Sequence, residues 1–488
     1  MTSATITAIP PTTSVDQVQQ MFAAQRAAFE KRAPLSYAER RDALDALLSG
    51  MSRYEDEFIA SLHADFGNRA AQETRLLEVF PVMDEIRHSK RHLRSWMRTR
   101  SAATNWQFSP SRARIVYQPL GVVGIIGAWN YQILLTLSPL VNVLATGNHA
   151  LIKPSELAPV TAEAIRRMIA ETFPADYVAV VTGGAGISAA FSSLPLDHLV
   201  FTGSGRVGKL VMKAAAENLT PVTLELGGKS PALVHEDFPA ALAADRICAG
   251  KFWNAAQTCV APDYALVPES RYEEFVTQAK ESVARRLPSL VKNPDYTHMI
   301  NRASWERMAA LVEDARTKGA QVIQINPANE DCNAENKVFP PTLIARVNDG
   351  MRVMQEEIFG PILPIASCVS LDDGIRFINQ RPRPLALYYF DYDSARVNQV
   401  LTRTTSGGVT VNDCIFHLPQ NNLPFGGVGP SGMGAYHGVD GFAAFSKKKG
   451  VFLQSRLVGF LLAWLLKPPY TKWSDRFISL LIARRSRD

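Results

Sequence analysis

The sequence predicts an α/β protein with two doubly wound domains, each a mostly parallel sheet covered by helices on both faces. Three observations carry this expectation. From about residue 114, apolar runs of four to six residues alternate with amphipathic helical segments, the pattern of parallel strands buried on both sides. The alternation restarts near Ser230 and runs to about residue 410, which makes two units. With 488 residues, 47% of them hydrophobic, the chain has material for two or three cores.

The N-terminal MTSATITAIPPTTS has neither a basic nor an apolar signal region, and predicts a loose arm before a first helix. Over 15–100, Val18, Met21, Phe22 and Gln25, then Leu44, Leu47, Leu48 and Met51, fall at helical spacing. After Pro110, RIVYQPLGVVGIIGA (114–128) predicts an extended pair leading into a buried strand. Strands follow at ALIKPS, YVAVVTG, DHLVFTG and PVTLELGG, with helices at TAEAIRRMIAETF and RVGKLVMKAAAE. In the second unit SPALV and YALVP are strands, while AALAADRICAGKFWNAAQ and ESRYEEFVTQAKESVARRL are helices. Ligands of such sheets lie in the cleft between units.

Five cysteines, an odd number in so long a chain, predict a reduced intracellular protein with no disulfide framework. The net charge of +6 comes from the tail: residues 447–488 hold ten basic and two acidic side chains, a local +8, which leaves −2 for the remainder. The body therefore offers no basic surface for nucleic acid.

HLVFTGSGRVGK (198–209) fits two phosphate-binding patterns. A P-loop would need Ser or Thr after Lys209 to hold a divalent cation, and Leu210 cannot. The dinucleotide pattern G-x-G-x-x-G is satisfied by Gly203, Gly205 and Gly208, at the start of a helix whose N-terminus suits a phosphate. That fingerprint belongs to the first strand–helix turn of its domain, however, and this one follows several units. On the motif alone, phosphate binding and a tight structural turn stand level.

Six further stretches decide the matter: GAWNYQ (127–132), KPSE (153–156), LELGGKSP (224–231), NAAQTCVAPDY (254–264), QEEIFGPILP (355–364) and PFGGVGPSGMG (424–434). In order and spacing over residues 20–450, they resemble the NAD(P)-dependent aldehyde dehydrogenase superfamily. QTCVAPDY and PFGGVGPSGMGAYHG are most similar to its class 3 group and the coniferyl-aldehyde dehydrogenase branch beside it. The resemblance implies an aldehyde dehydrogenase-like fold. Residues 1–99 with 120–226 would bind NAD, 227–435 would be catalytic, 100–119 with 436–455 would form a small β bridging or oligomerisation element, and 456–488 a basic amphipathic tail.

Oxidising an aldehyde to an acid needs a nucleophile whose adduct can expel hydride and then be opened by water, and a thiol serves both ends. The resemblance assigns this role to Cys259, which the sequence places at the end of a helical segment; Cys248, Cys332, Cys368 and Cys414 read as small core or surface residues. It assigns oxyanion donation to Asn130 and the backbone N–H of Cys259, and the hydrolytic base to Glu225, whose pKa burial would have to raise. Lys153 and Glu156 would hold the adenosine ribose, and a carboxylate there favours NAD while relatives also accept NADP. Gly203, Ser204, Gly208 and Leu226 would line the dinucleotide, Glu357 and Phe359 the nicotinamide end, and Tyr131 the substrate pocket. Gly205 departs from the family, which often has Thr there, and it alone completes the apparent fingerprint. No metal is implied.

The tail joins an apolar run, LVGFLLAWLL (457–466), too short to span a bilayer, to TKWSDRFISLLIARRSRD. Trp473, Phe477, Leu480 and Leu481 share one helical face, with Arg476, Arg484, Arg485 and Arg487 mostly elsewhere. This reads as a membrane-surface anchor, with packing on a partner subunit or capping of the substrate entrance as the alternative. The resemblance thus implies a cytoplasmic homodimer, peripheral on a membrane through 456–488, oxidising a bulky apolar or aromatic aldehyde, coniferyl-type favoured. A medium- or long-chain fatty aldehyde dehydrogenase and an inactive membrane-interaction protein of the same fold are the alternatives; the presence of Cys259, Glu225 and Asn130 speaks against the latter.

Overall fold

The structure, a computed structural model, describes residues 12–484. Capping boxes start the first two helices, Val15–Lys31 and Tyr37–Phe66: the Ser14 and Ser36 hydroxyls accept the backbone N–H groups of Gln17 and Glu39, whose side chains return the bond. The second helix stops at Gly67, whose φ of 84° a side chain would resist.

A six-stranded sheet runs edge to edge through Gly432–Met433, Val222–Glu225, His198–Thr202, Val122–Ile126, His149–Lys153 and Val178–Val180, parallel except at its first pair. A seven-stranded sheet runs through Gln321–Gln324, Thr342–Ala345, Ile362–Cys368, Tyr264–Pro268, Pro231–Val234, Ala386–Phe390 and Gly408–Val411, again with one antiparallel edge pair. Arg100–Ala102, Arg112–Pro119 and Ser446–Leu453 make a separate antiparallel sheet. The strands expected from short apolar runs are thus present, and the α/β class holds.

Two elements differ from expectation. The helix Gln132–Thr146 has no counterpart among the predicted elements: all its residues are buried and it contains Pro139, so it lacks the amphipathic stripe by which surface helices are recognised. The helix expected through Gln257 ends at Phe252, because Asn254, Ala255 and Ala256 take φ values of 53°, 48° and 57°, which no right-handed helix can continue. Cys259 therefore sits in a loop, not at the end of a helix.

Among the described residues no helix is long and apolar enough to cross a membrane. The tail forms helices Arg456–Leu466 and Lys472–Arg484; Arg485 and Arg487 lie outside the described residues.

Candidate active site

Ile126, Lys153, Thr202 and Glu225 each end a strand of the six-stranded sheet, and all four line one cavity of about 790 Å³. This is the carboxyl-end crevice where open parallel sheets place ligands. Cys259, Glu357 and Phe359 reach the same cavity from the other unit.

At one end, the helix Gly205–Ala216 begins at Ser204, whose hydroxyl accepts the Val207 N–H at 3.4 Å. The remaining N–H groups of that first turn and the helix dipole present positive charge to the cavity that Gly203 and Ser204 line. A Cβ on Gly203 would stand 2.6 Å from the Phe201 ring, whereas one on Gly205 would meet nothing within 4 Å. Gly205 therefore answers no packing demand, in agreement with its reading as a coincidence of pattern. Gly208, expected among the cofactor contacts, does not line the cavity. Its missing side chain instead admits Leu226, whose Cδ2 would lie 2.8 Å from a Cβ there. Leu226 does line the cavity, as does Glu156, which accepts a 3.0 Å bond from the buried Lys153 Nζ.

Cys259, Glu225, Asn130, Glu357 and Phe359 also line the cavity. Glu225 is buried and no protein group hydrogen-bonds either carboxylate oxygen. Burial alone pushes its pKa well above the usual carboxylate range. Burial also pushes the Cys259 thiol up to about 12, helped by the Glu357 and Glu225 carboxylates. Glu357 is raised to about 7, again chiefly by burial, against one backbone N–H from Gly228. Phe359, at φ 53°, stands edge-on to Trp129 with ring centres 5.6 Å apart. Asn130 donates its side-chain amide to the Gln257 carbonyl at 3.0 Å, which ties it to the Cys259 loop. Tyr131, expected in the substrate pocket, does not line the cavity; it is buried with its hydroxyl 2.7 Å from Thr258 Oγ1.

These residues fit a nicotinamide dinucleotide. The helix N-terminus suits the pyrophosphate, and Lys153 with Glu156 suits ribose hydroxyls. Unpartnered buried oxygens on Glu225 and Glu357 await hydrogen-bond donors.

Several supporting groups lie outside the sequence reading. Lys229 pairs with Asp263 and donates to the Val353 and Glu356 carbonyls, while Asp263 accepts the Ile358 N–H at 3.1 Å. Arg307 lines the cavity and donates to the Glu357 carbonyl at 2.5 Å. In the sequence Lys229 and Asp263 are signalled only by lying within LELGGKSP and NAAQTCVAPDY, and Arg307, far from every motif, by nothing. Gly227 has a sharper constraint, since a Cβ there would stand 2.2 Å from both Glu357 carboxylate oxygens. Gly227→Ala should displace Glu357 and raise the dissociation constant for NAD about 10-fold, the effect of overpacking worth about 1–3 kcal/mol. Titration of cofactor binding checks this; unchanged affinity would refute the constraint.

The aldehyde dehydrogenase family model matches residues 1–451. The chain is 47% identical over 470 residues to a protein of Pseudomonas aeruginosa described as a probable coniferyl aldehyde dehydrogenase, covering 96% of this chain and 97% of the relative. A substrate-bound structure of Staphylococcus aureus AldH superposes with a TM-score of 0.89 at 36% identity, over 95% of this chain and 99% of that one. A Mycobacterium tuberculosis aldehyde dehydrogenase complexed with NAD+ superposes with a TM-score of 0.82 at 28% identity, over 91% of each chain. With the cavity, the carboxyl-end crevice and a match of this extent in agreement, the chain belongs to the aldehyde dehydrogenase family.

Proposed function

We propose that this aldehyde dehydrogenase oxidises an aromatic aldehyde of the coniferyl type to its acid, with Cys259 as nucleophile, Asn130 as oxyanion donor and Glu225 as base. The observation that carries the reading is convergence: three segments, near residues 130, 225 and 259, bring these groups to one cavity, and Glu225 arrives there buried with both oxygens free of protein donors. The aromatic substrate class rests on the Pseudomonas aeruginosa relative.

Attack on the aldehyde carbon requires the thiol proton to leave as the carbon–sulfur bond forms; that proton passes to solvent, which keeps the Glu225 carboxylate free for the water step. The carbonyl oxygen becomes an oxyanion, met by the Asn130 amide hydrogen not given to Gln257 and by the Cys259 backbone N–H. A bound nicotinamide dinucleotide supplies a hydride acceptor. Once the adduct has lost hydride, a thioester remains on Cys259. Glu225 takes a proton from water as it adds to that thioester, the carbon–sulfur bond breaks, the acid leaves and the sulfur regains its proton. Lys153 and Glu156 hold the adenosine ribose, Gly203 and Ser204 the pyrophosphate, and Leu226, Glu357 and Phe359 the nicotinamide side. The Glu156 carboxylate repels a 2′-phosphate and favours NAD. Residues 1–99 with 120–226 are assigned to the cofactor and 227–435 to the chemistry, except that the strand Gly432–Met433 belongs to the cofactor sheet; the three-stranded sheet is the bridging element. The single experiment that tests the substrate assignment is NADH formation across aldehydes graded in length and aromaticity. Coniferyl-type aldehydes should give the highest kcat/KM, and preference for saturated long-chain aldehydes would overturn it.

Resemblance to the class 3 group supports a cytoplasmic homodimer. Peripheral attachment to an anionic membrane is supported by the tail, where Leu457 is 65% and Phe460 77% exposed beside Arg456, Lys467 and Lys472. A truncation testing this must end after Leu453, because a cut at Gly450 would sever the strand Ser446–Leu453. The full chain should float with anionic vesicles and the truncated chain should not; equal absence of binding would end the proposal.

A further inference from the structure

Arg69 and Glu78 form an ion pair with both side chains fully shielded from solvent, 2.8 Å apart, and no step above uses it. Burying two charges is costly, so a pair kept at such depth calls for a role beyond mutual neutralisation. Arg69 Nη1 donates to the Asn130 carbonyl at 3.2 Å, with the guanidinium between the rings of Phe66 and Tyr131 at 5.1 and 5.0 Å. Glu78 sits in a π-helical turn, Arg75–Val79, a wide turn common at functional sites. Its Oε2 accepts the backbone N–H groups of Ile133 and Leu134 at 2.8 and 3.4 Å. Those belong to the first turn of the helix Gln132–Thr146, which has no side-chain cap of its own.

The two charges thus grip Asn130 from both sides, one through its carbonyl and one through the helix that starts two residues later. Asn254 Nδ2 adds a second donor to the same carbonyl at 3.0 Å. We propose that Arg69 and Glu78 are a positioning pair that fixes the Asn130 amide where the oxyanion forms, and that they act on the reaction only through Asn130. This rests on the oxyanion role given to Asn130 above.

Arg69→Lys keeps the charge but loses the planar fork and the stacking between two rings. Glu78→Gln keeps shape and volume, removes the charge pair, and guards against a folding failure of the first variant. Each should lower kcat about 10- to 100-fold, the cost of a misplacement near 1 Å, while KM for NAD stays within about twofold. Asn130→Ala should by itself lower kcat about 10²- to 10³-fold. Adding Arg69→Lys or Glu78→Gln to Asn130→Ala should then cost less than about twofold more, since groups acting through one residue are not additive. A full further loss in the Asn130→Ala background, or single variants with unchanged kcat, overturns the positioning proposal and leaves the Asn130 assignment standing. An Asn130→Ala enzyme with unchanged kcat overturns both.

Discussion

Cys259→Ala should lower aldehyde-dependent NADH formation by about 10⁴-fold or more, because it removes the atom to which the substrate carbon bonds. Of the five cysteines, Cys259 alone lines the cavity among the described residues. Cys248, Cys368 and Cys414 are buried in the cores, and Cys332 is half-buried away from the cavity. Removing a partly accessible sulfur at a cavity wall leaves the cores intact, so the melting temperature should move by only a few degrees. Cofactor binding should persist, since Lys153, Ser204 and Glu357 are untouched. Steady-state rates, a thermal melt and a cofactor titration check these points; substantial activity in the variant would remove the nucleophile from the account.

Glu225→Gln should lower kcat about 10²- to 10⁴-fold, the range for loss of a general base. Gln has the same shape and cannot take a proton, and no hydrogen bond within the protein is lost because none is made. The direction of the pH dependence follows from burial. A carboxyl with a raised pKa is protonated, and idle as a base, at pH values where an ordinary glutamate is already ionised. The wild-type rate should therefore rise with pH through the neutral range. Cys259 acts in the same sense, since its thiol, pushed up to about 12, parts with its proton more readily at high pH. In Glu225→Gln the deacylation rate should lose most of this slope. A wild-type rate falling from pH 6 to 9 would contradict the assignment.

The parallel strands were legible because strands buried on both faces are continuous apolar runs, as His198–Thr202 and His149–Lys153 are. Gln132–Thr146 escaped notice for the same physical reason. A helix buried all round has no polar face to set its period, and Pro139 inside it mimics a breaker. The turn at Asn254–Ala256 is held by tertiary contacts, among them Asn254 N–H to the Glu73 carboxylate at 3.3 Å, which local propensity does not record. At the site, Glu225 and Asn130 stand out by the glycines near them in LELGGKSP and GAWNYQ, and Cys259 by the Gly-free string NAAQTCVAPDY. Gly208 and Tyr131 show the limit of such strings: a motif fixes position along the chain, while burial decides whether a residue faces the cavity or the packing behind it. Arg69 and Glu78 are illegible because Arg69 lies in the loop ahead of the helix Ala71–Thr74, so no helical spacing links it to Glu78 nine residues on.

The central claim is that an acyl group passes through the sulfur of Cys259 and that Glu225 drives its release. It is tested most directly by the intact mass of Glu225→Gln, taken seconds after mixing with coniferyl aldehyde and NAD. One acyl group per chain, mapped to the peptide carrying Cys259 and accompanied by one equivalent of NADH, is the predicted result. Unmodified protein alongside NADH formation, or an acyl group on any other residue, would contradict it.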